Sequence, residues 1–266
     1  MEMNENVTSG NDELAETSQQ KKLEHITYAR LLGIQRVALG ALGECVVMFS
    51  IIYIDPIVSF VLKSHGLTNE QVGASFLLIP LGIVTGFFPS SLLASRGGEK
   101  RVVIIIAALA QVIVCILYGP SEVLSLPKVN EWLGTVQLRL LLQFLCCAAY
   151  ILFLSRLAPE MIDGAKEALP CEDEDERKAT EKRVISLTAG FSNFGYGVGV
   201  VIAPVMSAEL YDRFGLGYSS DGAAVINFLF VLAVFIFGDG VTVMKDLCFK
   251  KRQQPKETIK EYSPGR

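Results

Sequence analysis

Histidine is nearly absent from this chain: its 266 residues include only two, His25 and His65. That scarcity argues against histidine-based acid–base or metal chemistry. The sequence has no phosphate-cradling Walker pattern, no metal-ligand spacing and no nucleophile–base constellation, so no enzyme and no cofactor are expected. The six cysteines do not read as a disulfide framework. Cys45, Cys115, Cys146 and Cys147 lie in apolar runs, where they serve as small packing residues, and neither Cys171 nor Cys248 has a partner nearby in sequence. The chain does not open with a basic segment followed by a short apolar core, as a secretory signal would require. No sorting signal points to a vesicle or to the plasma membrane, and no nucleic-acid partner is expected.

Apolar sequence is abundant. Half of the residues (51%) are hydrophobic, the mean hydropathy is +0.41, and the charged residues gather in a few hydrophilic blocks. A water-soluble domain would spread its charges around a surface, so the pattern predicts an all-α membrane protein. The net charge of −4 carries little information, because the acidic excess is local.

Residues 1–27 are polar and aperiodic and predict a disordered cytoplasmic segment. A six-helix bundle is expected over 28–245, with spans at about 32–62, 72–94, 102–117, 133–154, 185–206 and 223–239. Between spans four and five, residues 159–183 hold the acidic run Glu172 to Glu176 and predict a mobile loop. LYDRFGLGYSSDG reads as the loop before the sixth span, and residues 246–266 form a basic cytoplasmic tail. Basic residues collect at the amino terminus, after spans two and four, and in the tail. With six spans all of these fall on one side, so both termini are predicted to be cytoplasmic.

The segment PLGIVTGFFPSSLLASRGGEKR, from Pro80 to Arg101, organises the rest. Gly82 and Gly86 stand four residues apart, a spacing that lets helix backbones approach closely in lipid. The pattern returns 117 positions later: Gly82, Gly86, Ser90, Leu93, Arg96 and Gly98 fall on Gly199, Ala203, Ser207, Leu210, Arg213 and Gly215, and Ser95 falls on Asp212. With three spans between them, the copies run in opposite directions across the bilayer. The expected fold is therefore two inverted three-helix repeats.

The segment ending S-x-x-L-A-S-R-x-G-E-K-R resembles the loop motif of the major facilitator superfamily, roughly G-x-x-x-D-R-x-G-R-K/R. Ser95 stands where that family has aspartate, and Glu99 where it has a basic residue, which weakens the charge relay attributed to the loop. YIDPIVSFVLKSHGLTNEQVGASFLLIPLG, the Leu117–Pro120 stretch and FSNFGYGVGVVIAPVMSAELYDRFG extend the likeness. Together they resemble the carboxy-terminal six-helix half of the vesicular amine transporter branch, particularly its polyamine-transporting members, over about residues 28 to 245. The resemblance implies half of a facilitator fold, completed by a missing amino-terminal half or by a second copy. It also implies transport of a small organic cation such as an amine or polyamine, with proton exchange. Gly82, Gly86, Arg96, Gly98 and Arg101 correspond to its conformational loop motif.

Glu44 and Asp55 are carboxylates inside a span, a costly placement that marks them as candidates for a substrate and proton pathway. Eleven residues of helix return to within about 20° of the same face, some 16 Å along the axis. A stripe with two anionic positions suits a cation and exchanged protons moving past it. Structural roles stay open beside this one. Glu44 can pair with Arg36 or Arg139, and Asp55 can stabilise a break at Pro56. Asn193 and Tyr196, among the glycines of span five, and Tyr150 in span four are further cavity-lining candidates; hydrogen bonding to a neighbouring helix is the alternative for each. Two functions compete: a secondary transporter or half of one, and a non-transporting six-span accessory or scaffold protein. A mitochondrial-type carrier is discounted, since the tandem P-x-[DE]-x-x-[KR] repeats of that class are missing.

Overall fold

A computed structural model describes residues 26–95, 100–119, 121, 135–170 and 174–238. Among the described residues, every regular element is a helix: α1 (Tyr28–Leu32), α2 (Gln35–Ser64), α3 (Asn69–Ser75), α4 (Leu78–Ser95), α5 (Lys100–Tyr118), α6 (Val136–Ala168) and α7 (Glu174–Phe237). Five helical runs are long and apolar enough to cross a bilayer: α2, the run Asn69–Ser95 that holds α3 and α4, α5, α6 and α7. This is the arrangement that lipid imposes, because a helix satisfies its own backbone hydrogen bonds where no water can. The chain has the character of a multi-pass membrane protein. The leading segment and the basic tail expected from the sequence lie outside the described residues, except for Ile26 and Thr27.

Local chemistry sets the boundaries. Thr68 caps α3 reciprocally: its hydroxyl accepts from the Gln71 amide at 3.3 Å, and the Gln71 side chain accepts from the Thr68 amide at 3.0 Å. At Pro56 the structure corrects the sequence reading. α2 continues through the proline to Ser64 without a break, so Asp55 has no break to stabilise.

The 159–183 stretch, expected to be a loop, is instead helical up to Ala168 and again from Glu174. Its charges are spent on cross-helix and along-helix pairs such as Lys166–Glu181 at 2.6 Å, and that lysine holds the Glu181 carboxyl below its ordinary value. One face stays apolar, since Met161, Ala165 and Val184 are fully buried in a cluster with Leu31 and Val37. LYDRFGLGYSSDG is likewise helical apart from Gly215, at φ 79° and ψ −179°, a conformation essentially restricted to glycine.

A straight α7 of 64 residues would reach about 96 Å, three times the apolar thickness of a bilayer. Gly215 divides it into two limbs that fold back on one another. Ser207, before the break, donates to the Tyr53 carbonyl at 2.6 Å. Tyr53 in turn donates to the carbonyl of Ser219, beyond the break, at 2.8 Å. α2 packs on both α6 and α7, α4 packs on α6, and α5 packs on both α6 and α7.

Two glycine seams set these approaches, and they match atom for atom. A Cβ placed on Gly82 would lie 2.6 Å from the Phe144 carbonyl oxygen, 2.7 Å from Cys147 Cβ and 3.5 Å from the Ala148 nitrogen. One placed on Gly199 would lie 2.5 Å from the Cys45 oxygen, 2.9 Å from Met48 Cβ and 3.0 Å from the Phe49 nitrogen. Each contact atom on α6 thus stands 99 positions after its counterpart on α2. The serines continue the match. Ser207 donates to the Tyr53 carbonyl, while Ser90 bonds Ser155 Oγ at 2.6 Å, which donates to the carbonyl of Leu152, again 99 positions on.

Gly86→Val would drive a side chain into Ile151 and the Ala148 backbone, 2.2 and 2.6 Å from the new Cβ. A loss of about 1–3 kcal/mol in unfolding stability is expected, read as a lower melting temperature of the purified protein. Gly73→Ala, which meets nothing within 4 Å, is expected to leave that temperature unchanged or to raise it.

Candidate functional site

Glu44 sits in the middle of the second glycine seam. Its side chain is buried, with the residue 3% exposed, because Gly195 of α7 brings its backbone against Glu44 Cβ, 3.0 Å from where a glycine Cβ would stand. Ser192 donates to Glu44 Oε1 at 3.1 Å. Neither Arg36 nor Arg139 forms an ion pair with it, so the pairing weighed from sequence is replaced by a neutral hydrogen bond. A buried carboxylate held by a single hydroxyl, with no cation beside it, is free to change its charge state or its partner.

Tyr150 of α6 closes this region: it is buried, donates to Met48 Sδ at 3.2 Å, and lies in electrostatic range of both Glu44 and Tyr196. Tyr196 is 47% exposed, and Asn193 also lies on the exposed face of α7. Asp55 is half-buried and lies in electrostatic range of Tyr118 and Cys147. Cys147 and Tyr150 are about one turn apart on α6, so both carboxylates of α2 run along that helix. The structure brings Glu44, Tyr150 and Tyr196 into one neighbourhood, holds Asp55 further along the same edge, and turns Asn193 away to the surface.

Of the loop-motif residues, Gly82 and Gly86 of α4 are buried against α6, whereas Arg96 and Gly98 lie outside the described residues. Arg101 enters a charge cluster that the sequence reading missed. Glu160, near the end of α6, accepts from Arg36 Nε of α2 at 2.8 Å and from Arg101 Nε of α5 at 2.8 Å. Arg101 also donates to the Gly238 carbonyl beyond α7 at 3.0 Å, while Arg36 reaches Glu167 and Lys100 reaches Asp163. One carboxylate therefore ties together the ends of α2, α5 and α6. Ser50 and Asn227 form a second unforeseen link, fully buried and bonded at 2.9 Å. The signal for both was available: polar side chains within or at the edge of an apolar run require partners.

Glu160→Gln leaves two largely buried guanidinium groups facing a neutral amide. The expected cost is about 3–5 kcal/mol, measured as a lower unfolding midpoint of the detergent-solubilised protein. Glu167→Gln, at a 77% exposed side chain, is expected to change that midpoint by less than about 1 kcal/mol.

Compared with protein-family models, with curated proteins and with solved structures, the chain matches none.

Proposed function

We propose that this chain is a secondary transporter, or half of one, of the major facilitator kind, exchanging protons for a small organic cation such as an amine or polyamine. The observation that carries the reading is Glu44: a carboxylate inside an apolar span, buried at a glycine seam, with one hydroxyl donor and no cationic partner among the described residues. In alternation it holds a proton or a cationic substrate. Exchange follows if it cannot hold both.

The paired seams support six spans in two inverted repeats. The first copy of the glycine–serine pattern packs on α6 and the second on α2, with the same backbone atoms in contact. Exchanging α2 with α6, and α4 with the first limb of α7, maps one seam onto the other, as an inverted repeat requires. The two limbs of α7 then count as spans five and six, and both termini are cytoplasmic. On that side the Glu160 cluster clasps the helix ends, and Arg101, from the loop motif, is part of it. Tyr196 and Asn193, exposed on the first limb of α7, face the missing half or the second copy that completes the cavity.

In proteoliposomes carrying the complete transporter, Glu44→Gln is expected to abolish amine uptake driven by a pH gradient while leaving the amount and melting temperature of the protein unchanged. Uptake equal to wild type would remove Glu44 from the mechanism.

A further inference from the structure

Arg139 lies in the first turn of α6, at the end of the bundle away from the Glu160 cluster, and is only 6% exposed. Among the described residues its Nε has no hydrogen-bond partner and no carboxylate comes within 4.0 Å of its guanidinium. Gln143, one turn further along the same face of α6, is 3% exposed, and its Nε2 likewise has no partner. Arg156, the other buried arginine of this helix, also has an unpartnered Nε, but it is anchored through NH2, which donates to the Ser90 carbonyl at 2.7 Å. The 99-position correspondence places Gln143 opposite Glu44. The α7–α2 seam supplies Ser192 to an acceptor, whereas at the corresponding place on α6 a donor stands unmatched and Ser75, the counterpart of Ser192, donates back to the Val72 carbonyl.

The Nε of Arg139 and the Nε2 of Gln143 are buried donors on one helix face with no acceptor among the described residues, and such donors are costly in an apolar span unless an acceptor joins them. Two phenols stand in electrostatic range of Arg139, those of Tyr118 and Tyr211, and each has an O–H to offer.

We propose that Arg139 and Gln143 form a buried site for a small monovalent anion of halide size, with Arg139 supplying the charge and Gln143 a second donor. Such a site serves the outer end of the bundle as a resident counter-ion. It stands independently of the cation pathway at Glu44.

The test is thermal unfolding of the purified full chain in detergent, with gluconate replaced by chloride at constant ionic strength. A saturable rise in melting temperature is expected for wild type, because a ligand that binds only the folded state stabilises it. Arg139→Gln is expected to lose the rise, and Gln143→Leu to raise the half-saturating chloride concentration roughly tenfold. The proposal is overturned by a wild-type melting temperature indifferent to chloride, or by an unchanged rise in Arg139→Gln. If Arg139→Gln does not fold, Gln143→Leu decides, and an unaltered half-saturation point overturns the site.

Discussion

Close approach of helix backbones at glycine is the constraint on which the rest of this structure depends. Lipid supplies no hydrophobic drive between helices, so they stay together by contact area and by hydrogen bonds. At Gly82, Gly86, Gly195 and Gly199 the partner helix approaches to within 2.2–2.6 Å of where a side chain would begin, a distance no other residue type allows. Once α4 lies against α6 and α7 against α2 in this way, the serines at 90 and 207 reach groups across the seam, and the large side chains between the seams fill the centre, with Phe153 against Phe230 at 5.3 Å.

The candidate chemistry follows from the same contacts. Glu44 is buried because Gly195 removes the space that water would occupy, and the same seam carries Ser192 to its carboxylate. The opposite seam buries Gln143 in the corresponding place, with an amide where the first has an acid. Two related positions thus hold different chemistry within a similar frame. At the other end of the bundle the balance is reversed. Glu160 gathers two arginines from distant parts of the chain, and the low local polarity that makes an unpaired charge expensive holds those helix ends together.

Much of this was legible in the sequence, for identifiable reasons. The apolar runs announce the spans, the glycine–serine pattern and its second copy announce the seams, and a glutamate in the middle of a run stands out. Partners and orientations were not legible. Arg36 and Glu160 are 124 positions apart, and nothing local links them. Asn193 was read as a cavity residue and Ser192 was passed over, yet one step along a helix turns a side chain by about 100°, and only the packing of α7 on α2 decides which of the two faces Glu44. The stretch from 159 to 183 looked like a loop because its charge outweighed a narrow apolar face at Met161, Ala165 and Val184, which the packed structure buries. Pro56 looked like a break, yet a long buried helix tolerates a proline where neighbouring groups absorb the loss of one amide.

The most direct measurement is side-specific labelling of single cysteines introduced at Lys63 and at Lys166, with a membrane-impermeant maleimide, in sealed vesicles of known orientation. These positions lie near the ends of α2 and α6, the two helices that carry the matched seams. An inverted pair requires Lys166→Cys to react from the cytoplasmic side and Lys63→Cys only from the opposite side. Reaction of both from one face of the sealed membrane would contradict the inverted arrangement, and with it the alternating transport read from it.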